Sequence, residues 1–139
     1  MKELSKTELL ELYKIFVDTS LKASENRLKI NTFFITLNTA IIGSSGFINS
    51  ELILIFGCCI NAVWFNLLSS CKQLNTAKFK VICQMEKELC YKCFAKEQEE
   101  YKKYNRKPFA HLEQELPILI SIVYVIMLLI MCVKKICGC

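Results

Sequence analysis

Residues 30-INTFFITLNTAIIGSSGFI-48 and 52-LILIFGCCINAVWFNLL-68 stand back to back, separated only by Asn49, Ser50 and Glu51. Each run approaches the ~20 residues that a helix needs to cross about 30 Å of hydrocarbon, and a soluble core rarely places two such runs in succession. The pair reads as a membrane hairpin. A third run, 116-LPILISIVYVIMLLIMCV-133, adds a further span, so that more than fifty of the 139 residues are apolar stretch. Little remains for a separate globular core. Residues 1–29 and 69–115 carry nearly all the charge, with one proline (Pro108) and no glycine, a composition that suits helix better than loop.

The net charge of +5 is informative through its distribution: six basic residues precede the first run, ten lie between the second and third, and the last two are Lys134 and Lys135. Lys and Arg collect on the cytoplasmic side, so the amino terminus and the 69–115 segment are both expected there, with the Glu51 turn outside. Three spans then leave the tail outside, where Lys134 and Lys135 run against the rule. No secretory signal is visible, because the first 29 residues are charged and amphipathic. Arg27, Lys29, Lys72, Lys78 and Lys80 gather where the spans leave the membrane. Anionic lipid headgroups account for them, and no nucleic-acid partner is expected, since the aromatics Phe33, Phe34, Trp64 and Phe65 lie within the spans.

The first arm shows an apolar stripe at Leu9, Tyr13, Val17, Leu21 and Leu28, with Ser24 filling the remaining position and Ser5 and Glu8 spaced as a capping box. With no breaker before Gly43, helix and span read as one helix of about forty residues, roughly 60 Å long. The second arm answers with Cys71, Leu74, Lys78, Ile82, Met85 and Leu89, so the two can pair as a coiled-coil-like hairpin. Residues 96–107 read as a solvated helix end and linker. Pro117 is placed in the first turn of the third span, with Glu113 and Glu115 just before it.

The fold expected is therefore an all-α membrane protein. Its parts are a cytoplasmic amphipathic helix at 1–29 continuous with a span at 30–48, a second span at 52–68, a cytoplasmic helical extension at 69–107, a linker at 108–115, a third span at 116–133 and a tail at 134–139.

Candidate chemistry is sparse. No Asp, Glu, Lys or Arg lies inside any run, so a proton relay or a charged-substrate transporter lacks its usual residues. Asn31 and Asn38, seven apart on one face, and Asn61 and Asn66 in the returning span, could line a pore or ligand site. Interhelical hydrogen bonding that fixes packing and oligomer register is the favoured reading. Cys90 and Cys93 form a C-x-x-C motif read as lying along a helix, and only Cys83 and His111 could complete a metal site with them. Ordinary thiols are the simpler account, and no cofactor is expected. No phosphate-binding loop, serine elbow or H-E-x-x-H is present, and no enzymatic activity is expected.

Three blocks carry a family resemblance. The first holds Arg27, Asn31, Phe33, Phe34, Leu37, Asn38 and Thr39. The second runs from Trp64 through Leu74, Asn75, Ala77, Lys78, Phe79, Ile82 and Glu86. The third holds Pro108, Leu112, Glu113, Leu116, Pro117 and Tyr124. In these blocks the chain resembles the RipA-like family of small octameric bacterial inner-membrane proteins. It departs from that family at residues 89–94, where similar proteins carry Leu-Pro and then an acidic, tryptophan-containing stretch. The resemblance implies a homo-octamer in the cytoplasmic membrane, with Asn75, Lys78 and Glu86 as candidates for an intersubunit polar network and Arg27, Asn31, Asn38, Trp64, Glu113 and Pro117 as packing residues. The function expected is a scaffold or gated pore in envelope or stress adaptation. The alternatives are a membrane-disrupting defence effector and a cysteine-based metal or redox sensor.

Overall fold

The computed structural model of the chain describes residues 5–45, 51–90, 92–104 and 109–137, with the side chains of Ser45 and of residues 109–111 outside that description. Four helices follow in order: α1 (Lys6–Ser45), α2 (Glu51–Leu89), α3 (Cys93–Lys103) and α4 (Phe109–Cys137). The Asn49–Ser50 part of the expected turn, Pro108 and Cys139 fall outside the described residues. By contacts the chain forms two compact units: Met1–Arg27 with Ser70–Pro108, and Leu28–Ser69 with Phe109–Cys139.

α1 begins as its sequence demands. The Ser5 amide donates to Glu8 Oε2 at 2.8 Å and the Glu8 amide donates to Ser5 Oγ at 3.3 Å, which satisfies two amides that the first turn would otherwise leave open. These bonds hold the Glu8 carboxyl below its ordinary range, first through the backbone amide and then through the hydroxyl of Ser5. In the first unit α1 and α2 run antiparallel, since Tyr13 meets Glu86 and Thr19 meets Lys78.

The face α1 buries differs from the expected stripe. Leu9 and Ser20 are buried and Leu12, Tyr13, Phe16 and Val17 half-buried, whereas Leu21 and Leu28 are each 61% exposed and Ser24 is exposed. Ser20 is small and returns its hydroxyl to the Phe16 carbonyl at 2.9 Å, so it can be buried with its hydrogen bond made. On α2 the face shifts likewise: Leu74 is exposed, while Ile82 and Glu86 are buried.

Two further expectations are corrected. The C-x-x-C motif does not lie along one helix: α2 stops at Leu89, Cys90 takes a left-handed φ of 61°, and Cys93 is the first residue of α3. A left-handed residue after a helix closes its last turn, a place usually given to glycine, and a side chain there costs about 1 kcal/mol. The expected linker 108–115 and tail 134–139 are largely helix, because α4 runs from Phe109 to Cys137. Pro117 consequently stands inside α4, fully buried, and not in its first turn. It offers no N–H to the carbonyl of Glu113, four residues back.

The second unit packs the apolar part of the α1–α2 hairpin with α4. Phe34, Trp64 and Leu68 form one buried cluster, and Ile41, Leu54 and Tyr124 a second. Phe34 and Trp64 stack with ring centroids 5.5 Å apart and planes within 2°. Gly57 is buried against the Tyr124 ring, which lies 2.6 Å from where a Cβ would stand. We predict that Gly57→Ala, which forces this ring aside, lowers stability by about 1–3 kcal/mol. Thermal unfolding in detergent, read against the wild type, checks it.

Candidate functional site

Polar side chains carry the specific contacts of both units. In the second unit Trp64 Nε1 donates to Asn31 Oδ1 at 3.0 Å, a buried bond between α2 and α1. The Tyr124 hydroxyl donates to Asn38 Oδ1 at 2.7 Å, while Asn38 Nδ2 donates to the Phe34 carbonyl at 2.8 Å. Tyr124 thereby joins α4 to α1 with its hydroxyl and to α2 with its ring against Gly57. Nearer the start of α4, Gln114 Nε2 donates to Ser69 Oγ at 3.0 Å, and near its end Lys135 Nζ stands 3.4 Å from Glu51 Oε1. These contacts set α4 antiparallel to α2. The Thr32, Thr36 and Thr39 hydroxyls turn back onto the carbonyls of Leu28, Thr32 and Ile35, so their polarity is satisfied within α1.

Asn61 behaves differently. It is 1% exposed, and among the described residues neither its Oδ1 nor its Nδ2 meets a hydrogen-bond partner. Asn75, half-buried on α2 in the first unit, likewise has its Oδ1 buried without a partner among the described residues. Arg27 is half-buried and Glu113 buried.

Glu86 is the hub of the first unit. At 1% exposure its carboxylate accepts from the Tyr13 hydroxyl at 3.2 Å, the Phe94 amide at 2.8 Å and the Ala95 amide at 3.1 Å. The two amides belong to the first turn of α3, whose preceding residue Lys92 makes no side-chain cap. A carboxylate on α2 therefore caps α3, where the helix dipole favours negative charge. Tyr13, Phe79 and Phe94 complete the junction of α1, α2 and α3, with the Phe94 ring 6.4 Å from Tyr13 and 5.8 Å from Phe79. Lys78 Nζ donates to the Thr19 carbonyl at 3.1 Å. Lys78 and Glu86, expected in an intersubunit network, thus have partners within the chain.

Burial, and then the adjacent Glu86 charge, push the Tyr13 phenol up to about 12. The same two causes raise the Cys83 thiol. Cys90 and Cys93 are both exposed. Among the described residues no three His, Cys, Asp or Glu side chains stand together so as to hold a metal ion, and the His111 side chain lies outside the description.

A three-helix unit that buries Asn31, Asn38 and Asn61, leaves Asn66 exposed and carries many exposed large apolar side chains has the construction of a helical membrane protein. Two helices among the described residues, α2 and α4, are long and apolar enough to cross a membrane. The chain belongs to the octameric membrane protein family (8xMP), which matches it over residues 10–133, and membership implies self-association. No curated protein and no solved structure matches the chain. Asn31, Asn38 and Trp64, expected as packing residues, and Glu86, expected in an intersubunit network, all have hydrogen-bond partners within the chain, and the contacts of Gly57 and Tyr13 were not anticipated. A lone glycine in the second span was the available signal for the first.

Two outcomes follow from these contacts. Asn38→Val, which removes the 2.7 Å acceptor of the buried Tyr124 hydroxyl and leaves it the Asn38 carbonyl at 3.4 Å, should cost about 1–3 kcal/mol, and adding Tyr124→Phe should cost less than the two single changes together. Denaturation of the four proteins in one detergent measures this coupling. The raised Tyr13 acidity gives the second. The unfolded chain releases its phenolic proton near pH 10 and the folded one near 12, so stability contributed by Tyr13 is complete below pH 10 and falls as pH rises through that window. Tyr13→Phe should flatten this part of the alkaline stability profile.

Proposed function

We propose that the chain is a non-enzymatic scaffold or gated pore, assembled as an octamer in the bacterial cytoplasmic membrane and serving envelope or stress adaptation. The observation that carries this is the family match over residues 10–133, nearly the whole chain. The second unit supports it. Asn31, Asn38 and Asn61 are buried while Phe33, Ile55, Phe56, Ile122 and Leu129 are exposed, a surface suited to lipid and to neighbouring copies. In this reading residues 30–48 cross the membrane as well, giving three spans with the amino terminus and the 69–107 segment in the cytoplasm. The concentration of basic residues there supports that orientation. Lys72 and Lys80 then meet anionic headgroups, while Lys78, through its bond to Thr19, fixes the α1–α2 surface that a neighbour packs against.

Native mass spectrometry of the protein released from lipid nanodiscs tests the assembly. A mass of eight copies is expected, and a single-copy mass would overturn the reading. The double change Asn75→Ala with Lys78→Ala should shift the assembly to smaller masses. An unchanged mass would remove both residues from the interface. Particle images of the octamer separate the two roles, since a closed axis leaves the scaffold and an open one the pore.

A further inference from the structure

The break between α2 and α3 carries both cysteines of the C-x-x-C pair. A cleft of about 580 Å³ opens beside it, lined by Glu86, Lys87, Cys90, Lys92, Cys93 and Lys96. Its volume falls within the range of small-molecule sites. The Glu86 carboxylate is spent on Tyr13 and the two α3 amides, whereas the three lysines supply the cleft with positive charge. Both thiols are free and exposed, one at each end of the turn. Cys90 moreover occupies a left-handed position that glycine fills without strain. Two exposed thiols of one C-x-x-C pair, the first on a strained backbone, line a cleft with three lysines, a placement suited to exchange with an anionic disulfide.

We propose that Cys90 and Cys93 form a thiol–disulfide exchange site whose substrate is an anionic low-molecular-weight disulfide of the glutathione class, held by Lys87, Lys92 and Lys96. One cysteine thiolate attacks the small disulfide, forming a mixed disulfide and expelling one thiolate. The other cysteine then attacks the protein-bound sulfur, closing a Cys90–Cys93 bridge and expelling the second. Two protein thiols are oxidised, one small disulfide is reduced to two thiols, and the two protons leave with the products. The bridge spans the turn that Glu86 caps, so oxidation acts on the junction of α1, α2 and α3.

The test uses the full chain in nanodiscs treated with oxidised glutathione, followed by intact mass and peptide mapping. The wild type should lose two hydrogens at Cys90–Cys93, and Cys90→Ser or Cys93→Ser should each trap one glutathionyl group on the remaining thiol. The triple change Lys87→Gln, Lys92→Gln and Lys96→Gln should slow reaction with oxidised glutathione about tenfold at low salt. Its reaction with the neutral hydroxyethyl disulfide should keep its rate, which also shows that the turn remains folded. The absence of a trapped adduct in both single variants overturns the exchange site. Equal slowing with the two disulfides, or slowing with neither, overturns recognition by the lysines.

Discussion

A carboxamide buried among apolar helices has no water to return to, and the second unit is organised around that constraint. Asn31 and Asn38 each have one residue on another helix that completes them, Trp64 and Tyr124, and apolar surface alone would leave α4 free to slide along the hairpin. Dispersion between aliphatic side chains is nearly indifferent to small rotations. A bond of 2.7 Å from a phenol to a carboxamide is not. The polar contacts therefore choose the arrangement, and the apolar clusters beside them fill it. Asn61 marks the converse, a buried amide for which the described residues provide nothing.

In the first unit one carboxylate does similar organising work with backbone partners. Glu86 draws together the phenol of α1 and the opening turn of α3, and through them it fixes where α3 begins after Leu89. The tyrosine–carboxylate contact is weaker in geometry than the amide contacts, yet burial makes it costly to replace.

The long apolar runs, the hairpin and the capping box at Ser5 and Glu8 were legible in the sequence because each depends on local pattern and length. The break between α2 and α3 was not. No glycine or proline marks it, since Cys90 takes the glycine conformation and the cap comes from Glu86 rather than from Lys92 at the helix start. Nor was the buried face of α1. Counting hydrophobic residues favours Leu21 and Leu28, whereas close packing places Ser20 inward. The Asn–Trp and Asn–Tyr pairs were legible in kind but not in partner, for 33 residues separate one pair and 86 the other. The helix over 109–115 was hidden by two prolines that read as boundaries, one of which α4 absorbs.

The seat of Tyr124 on Gly57 ties three distant positions into one unit of inheritance. A side chain at 57 needs a smaller residue at 124, a smaller residue there gives up the hydroxyl, and Asn38 then keeps a carbonyl without its donor. Sequence drift at any one position is thus blocked unless all three move. Those exposed aliphatic positions on α4 that meet only lipid can exchange among leucine, isoleucine and valine. Divergent copies of this chain should accordingly vary most on the faces that carry the most hydrophobic surface, and least at a glycine.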